Sequence, residues 1–198
     1  MDETLTYYEQ NAAAFVAGTQ NADMSGQYRP FLKQLPSGGK LLDLGCGSGR
    51  DSAFFSSLGF AVTALDGSEE LCKLAKKNHG IDALCIRFED LSFQAEFDGI
   101  WACASLLHIR KAHMSDILSK VSAALKPGGI LYASFKYGTG EHFHNGRFFN
   151  NYTEADLPTL LTPETRLTLL EYRITGDVRP ECAGQRWLSF LAKKQTEV

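Results

Sequence analysis

The stretch Leu41-Leu42-Asp43-Leu44-Gly45-Cys46-Gly47-Ser48-Gly49 constrains this chain more than any other. An apolar run leads into a loop with glycine at every second position, and glycine lets backbone pass close to a ligand because no Cβ intervenes. A second apolar run, Phe60 to Leu65, ends in Asp66, 17 positions after Gly49. An acid roughly 20 residues beyond a glycine loop stands where nucleotide folds place the carboxylate that binds ribose hydroxyls. A strand-end aspartate capping the next helix is the alternative. The pattern predicts an adenosine-containing cofactor at the end of a parallel sheet.

The spelling of the loop narrows the choice. A dinucleotide fingerprint is G-x-G-x-x-G, whose third glycine allows close helix–strand packing. Here the glycines fall as G-x-G-x-G, and Arg50 occupies the position of that third glycine. A phosphate-binding loop also fails, because no Gly-Lys-Ser/Thr follows. At this point the chain resembles the class I S-adenosylmethionine-dependent methyltransferases, whose first motif is written much as LLDLGCGSG is here. The resemblance continues through Phe97-Asp98-Gly99-Ile100-Trp101-Ala102, similar to the family's fourth strand. Leu125-Lys126-Pro127-Gly128-Gly129 is similar to the turn before its fifth, and Ile130 to Phe135 to that strand itself. It covers residues 40–136 most clearly. Within the superfamily the chain looks most like bacterial small-molecule methyltransferases, including the tellurite-resistance type.

Composition permits this reading and excludes others. A chain of 198 residues, 44% hydrophobic, can bury one sizeable core. Net charge is −3 with no long run of either sign, so there is no electrostatic footprint for nucleic acid and no basic helix for a membrane surface. Apolar runs stay far short of a membrane span, and the acidic start Met1-Asp2-Glu3-Thr4 does not resemble a signal peptide. Five cysteines at irregular spacing suit reduced thiols and a cytoplasmic protein. Oligomeric state is not legible.

Strand and helix signals alternate along the chain. Leu5 to Gly18 and Met24 to Leu35 read as helices, and Pro36-Ser37-Gly38-Gly39 separates them from the first strand. Ser68 is placed to cap a helix whose first turn holds Glu69 and Glu70. Ala83 to Phe88 reads as a third strand, and Ile117, Leu118, Val121 and Leu125 mark an amphipathic helix. Alternation implies a parallel sheet covered on both faces. Thr165 to Thr175 and Gln185 to Lys194 are strand-like with only a loop between, so they should pair antiparallel. The resemblance implies a doubly wound, mostly parallel seven-stranded α/β sheet, Rossmann-like, with an antiparallel last strand and an N-terminal helical cap. One domain spans 1–198: cap 1–36, cofactor-binding core 40–136, and substrate-side loop with C-terminal strands 137–198.

The resemblance implies S-adenosylmethionine as cofactor and S-adenosylhomocysteine as product. It assigns Tyr8, Asp43, Gly45, Cys46, Gly47, Gly49, Asp66, Gly67, Ser68, Phe88, Glu89, Ala102, Cys103 and Leu107 to the cofactor. Asp43 either contacts the methionine portion or supports the loop. Arg87 stands where many family members have an aspartate facing adenine, which leaves Glu89 or Asp90 to accept from the adenine amino group and the Phe88 backbone to contact the ring. Methyl transfer asks mainly for in-line positioning and desolvation, with a base where the nucleophile carries a proton. His108, after the fourth strand, is a candidate base, with a local helix-start role as the alternative; His113 is weaker. His142-Phe143-His144 lacks a third ligand and makes a poor metal pattern, so no metal is expected.

The aromatic loop Gly138–Tyr152 and the N-terminal helix, with Tyr7 and Tyr8, are expected to cover the acceptor. Arg29, Arg147, Arg179 and Arg186 come from segments near the open end of the sheet. Convergence of two would favour an anionic acceptor, against ordinary surface pairing. Arg29, Arg147 and Arg179 are the candidates for the substrate. The function expected is methyl transfer to a small molecule. A module that binds or senses the cofactor without turnover is the alternative, and a nicotinamide-dependent oxidoreductase is disfavoured by Arg50.

Overall fold

A computed structural model describes residues 3–196. Two helices, α1 (Glu3–Thr19) and α2 (Ser25–Leu32), precede the sheet. Then β1 (Lys40–Leu44), α3 (Arg50–Ser57), β2 (Ala61–Asp66), α4 (Glu69–His79), β3 (Leu84–Cys85), β4 (Phe97–Ala102), α5 (Lys111–Ala124) and β5 (Leu125–Lys136) follow in alternation. The chain continues through a hairpin, β6 (Glu141–His144) and β7 (Arg147–Asn150), and a single turn of helix, α6 (Leu157–Leu160). It closes with β8 (Leu167–Gly176) and β9 (Arg186–Lys194).

The main sheet has seven strands in the order β3-β2-β1-β4-β5-β9-β8. The first five run parallel, and β9 lies antiparallel between β5 and β8. Side chains alternate between faces. Leu42, Leu44, Ile100, Ala102, Leu131 and Ala133 pack with Ile117, Leu118 and Val121 of α5. Leu41, Trp101 and Tyr132 pack on the other face with Tyr28 and Phe31 of α2 and Phe55 of α3. Both faces are covered, which is why these strands read as unbroken apolar runs. The α2 face approaches β4 so closely that a Cβ on Gly99 would stand 2.7 Å from Leu35 and 2.8 Å from Phe31.

Helix ends follow the sequence. Ser68 caps α4 by accepting from Leu71 N at 3.2 Å, and Gly80, at φ 71°, ends it. Lys76, Lys77 and His79 lie in the last turn, where the helix dipole favours cations.

Three expectations need correction. The third strand is two residues long rather than six, because the chain turns into a short 3-10 segment at Phe88–Asp90. The fifth strand starts at Leu125: Phe97 pairs with Leu125 and Gly99 with Ile130, so Lys126 to Gly129 bulge out of the ladder where a turn was expected. The Gly138–Tyr152 segment is not a loop but the β6–β7 hairpin, turning on Asn145 and Gly146 with φ of 48° and 74°. Two successive left-handed residues suit the twist of a two-residue hairpin.

Candidate active site

A cavity of about 460 Å³ opens across the carboxyl ends of the parallel strands, between α1 and the hairpin. Its floor is the glycine loop. Gly45, Gly47 and Gly49 have φ of 79°, 55° and 78°, so every second residue adopts a conformation that a Cβ disfavours. The amides of Gly45 and Cys46 both donate to Leu65 O at 2.9 Å, which ties the loop to β2. At Gly45 a Cβ would also stand 2.5 Å from that of Ser105.

Carboxylates gather around this loop. Asp66 ends β2, buried, and accepts from Gly47 N and Ser68 N, each at 2.9 Å. Burial raises its pKa, and those backbone donors pull it partly back. Asp43 is buried within β1 and accepts from Ser52 Oγ at 2.6 Å. Its carboxyl holds its proton well above the ordinary range, first through burial and then through the nearby charge of Asp51. Asp51, at the start of α3, accepts from Tyr28 Oη at 2.6 Å, Trp101 Nε1 at 2.8 Å and Arg50 Nε at 2.6 Å. Arg50 also donates to Thr19 O at 2.8 Å, fastening the end of α1. The residue that replaces a third glycine thus joins the cap to the sheet.

The opposite wall is basic. Lys136 ends β5 with Nζ 3.8 Å from the Phe149 ring centroid, and the Arg147 guanidinium lies 5.2 Å from the same ring and 4.5 Å from that of Tyr7. Among the described residues neither cation has a carboxylate within ion-pair distance. Burial lowers the pKa of Lys136, and the charges of Arg147 and Arg179 lower it further. Arg179 lines the cavity, but its guanidinium is held by Asp177 through contacts of 2.9 and 2.7 Å. Between the two walls, His108 Nδ1 meets Phe148 O at 2.6 Å and Nε2 meets Tyr8 Oη at 2.9 Å. Ala104, beside them, has φ of 53°, a strained value of the kind that concentrates at functional sites.

Most of the assigned residues converge here. Tyr8, Asp43, Gly45, Cys46, Gly47, Asp66, Gly67, Phe88, Glu89, Cys103, Leu107 and His108 line the cavity, with Arg147 and Arg179. Others stand apart. The Ser68 hydroxyl is used as the α4 cap, and Gly49 serves as the N-cap residue of α3. Ala102 faces the α5 core, so the small wall residues are Cys103 and Ala104 instead. Arg29 is exposed on α2, outside the lining, and Arg186 lies over the Tyr137 ring at 4.5 Å. Sequence reading missed Lys136, Ser105 and Gln27. Ser105 Oγ, Gln27 Oε1 and Arg147 Nε are buried, line the cavity and have no protein hydrogen-bond partner. His142 stacks on Phe149 outside the lining, and no group of three His, Cys, Asp or Glu among the described residues is placed to hold a metal ion.

Residues 41–129 match a family model described as a methyltransferase domain. A ubiquinone biosynthesis O-methyltransferase of Nitrobacter winogradskyi is 37% identical over 103 residues, which cover 50% of this chain and 39% of that enzyme. The chain spans about half or less of the length of several such relatives. Among solved structures, a Burkholderia thailandensis 1,6-didemethyltoxoflavin-N1-methyltransferase, bound to its namesake substrate and S-adenosylhomocysteine, is similar at a TM-score of 0.76. It shares 24% identity, and the match covers 96% of this chain and 85% of that one. A TehB-like S-adenosylmethionine-dependent methyltransferase from Corynebacterium glutamicum is similar at a TM-score of 0.71 and 21% identity, covering 96% and 98% of the two chains. At these identities the two structures speak to the fold.

Proposed function

We propose, from the premise that this chain belongs to the class I S-adenosylmethionine-dependent methyltransferase superfamily, that it methylates a small anionic molecule, with residues 1–198 acting as one domain. The observation that carries the anionic acceptor is the pair of Lys136 and Arg147 on the wall facing the glycine loop. Two cations share one aromatic ring there without a carboxylate partner among the described residues. An anionic group of the acceptor offsets that repulsion and gives the guanidinium a bidentate partner. The net charge of −3 favours a small molecule over nucleic acid. Five free thiols accord with a cytoplasmic setting.

The residues present fit the cofactor. Orphaned polar atoms at Ser105 and Gln27 suit a polar ligand, and the left-handed glycines leave the room a close-lying ligand needs. Asp66 would hold the ribose, the loop amides and Asp43 the methionine end, and Phe88 with Glu89 the adenine. When bound, the cofactor supplies an electrophilic methyl group. The chain's own contribution is to seat the acceptor by its charge, aim its nucleophile, and exclude water between α1 and the hairpin.

Calorimetric titration with S-adenosylhomocysteine and with NAD tests the cofactor half; binding of NAD alone would sink it. Incubation with methyl-labelled cofactor and a metabolite extract tests transfer. Cofactor binding without label in any small molecule would point to a sensor. Lys136→Met should raise the KM of the acceptor so identified by about tenfold, the value of one or two charge-assisted bonds. The dissociation constant of S-adenosylhomocysteine should move less than about twofold, since Lys136 lies on the wall away from the glycine loop. Equal changes in both would remove the basis for the anion site.

A further inference from the structure

The histidine between the two walls has a fixed protonation pattern. A carbonyl oxygen only accepts, so the 2.6 Å contact with Phe148 O requires the hydrogen on Nδ1. In the neutral ring Nε2 is then an acceptor, and the Tyr8 phenol donates to it across 2.9 Å. The Arg147 guanidinium stands on the β7 side, 5.9 Å from the Tyr8 ring centroid, and its charge works against the rise in the phenol's pKa. The phenol thus has an acceptor for its proton and a cation beside the oxygen that would be left behind. Both Tyr8 and His108 line the cavity, on the path from the glycine loop to Lys136.

We propose that Tyr8 and His108 form a proton relay, and that the methyl-accepting atom is accordingly a protic nucleophile: a hydroxyl, phenol or N–H. The inference rests on the methyltransferase reading and deepens it. As the acceptor atom attacks, its proton passes to the Tyr8 oxygen and the phenol's own proton passes to Nε2 of His108. The pair freed on the acceptor forms the new bond to the methyl carbon, while the carbon–sulfur pair stays with sulfur. The positive charge that sulfur loses ends on the His108 imidazolium, which returns the proton to water. Tyr8 touches the acceptor and is the catalytic residue. His108 acts through it, held in register by the hairpin carbonyl. Burial keeps the phenol protonated at rest, despite the opposing pull of Arg147, which a relay requires and a standing tyrosinate would not. Among the described residues, the ionisable groups whose charge acts on the Tyr8 phenol are Tyr7 on α1, Asp66 at the end of β2 and Arg147 on β7.

The test pairs a spectrum with a pH profile. In ¹⁵N-imidazole NMR of the intact protein with S-adenosylhomocysteine, His108 should carry its hydrogen on Nδ1 near neutral pH. Tyr8→Phe should shift Nε2 while leaving Nδ1 in place. A hydrogen on Nε2 in the wild type would overturn the relay without touching the methyltransferase reading. S-adenosylhomocysteine release from S-adenosylmethionine is then followed with metabolite extract from pH 6 to 10. Tyr8→Phe and His108→Gln should lower the rate roughly 100-fold at pH 7. The deficit should shrink as pH rises and the acceptor ionises by itself. A loss constant at every pH, or no loss, would overturn the proposal. Failure of the wild type to bind either sulfur compound would instead be a failure of the parent reading.

Discussion

Asp43 is more comfortable protonated than charged, and this sets a pH dependence for the whole fold. Its carboxyl keeps its proton in the folded chain above the ordinary value of 3.8, because burial and Asp51 both oppose ionisation. The folded state therefore binds more protons than the unfolded state once pH exceeds that value. Stability declines as pH climbs from there through the raised folded pKa. Asp43→Asn keeps the bond from Ser52 and removes the charge, so the cofactor-free protein should melt about 2–4 °C higher at pH 8. The gain should be smaller at pH 5. A melting curve unmoved at pH 8 would mean the carboxyl is neutralised in another way. Asp66 differs, since two backbone amides donate to it and offset part of the burial that raises its pKa. Asp66→Ala should weaken S-adenosylhomocysteine binding by about 1.5–3 kcal/mol, the value of charge-assisted bonds to the ribose, in calorimetry of a variant with unchanged circular dichroism. An unchanged affinity would put the ribose elsewhere.

At the scale of elements, the cap is bound to the sheet domain by a helix end. Glu9 of α1 accepts from Glu69 N at 2.6 Å and from Glu70 N at 3.4 Å, so a carboxylate on one helix occupies the opening amides of another. Ala12, Val16 and Leu71 pack beneath this junction. Glu9→Ala should cost about 1 kcal/mol of stability, as loss of a helix cap does. S-adenosylhomocysteine should also dissociate faster, because Tyr8 and Phe15 of the same helix wall the cavity. A stopped-flow off-rate equal to that of the wild type would show α1 held over the cavity by its packing and by Arg50 without help from Glu9. The alternation of strands and helices was legible because each strand is buried on both faces and each boundary carries its turn chemistry. Inside the segment expected as an aromatic loop, Asn145-Gly146 between Glu141–His144 and Arg147–Asn150 is a strong two-residue turn signal that marks the hairpin. The glycine loop and Asp66 announce themselves by spacing. Lys136 does not, since a lysine at a strand end gains meaning only when the hairpin folds Phe149 under it. Arg179 pointed the other way, because its partner Asp177 sits two residues off and no long-range spacing reveals it.

Seen whole, the molecule is two unlike halves meeting at β5. Residues of β1, β2 and their loops supply the acidic side of the cavity, whereas β5, β7 and the β8–β9 connection supply the basic side. The reversal at β9 makes this possible. A strand that runs back against its neighbours places the connection before it, Asp177 to Gln185, at the same end as the glycine loop, where a further crossover helix would have left that end uncovered. The same reversal sets a timetable. A ribosome delivers β5 some fifty residues before β9, and β8, which precedes β9, pairs with no other strand of the main sheet. Until β9 is threaded between them, Ile130 to Phe135 form a bare apolar edge, the kind that recruits strands from other chains. A nascent chain stopped at Gln185 should accordingly partition into the pellet, while the chain carrying β9 stays in the supernatant. Equal solubility of the two would show that the hairpin or α6 shields β5 in the meantime. A nascent chain therefore carries, for as long as translation of β9 takes, an open edge of the kind a holding chaperone would cover, and that edge vanishes once the final ladder has zipped.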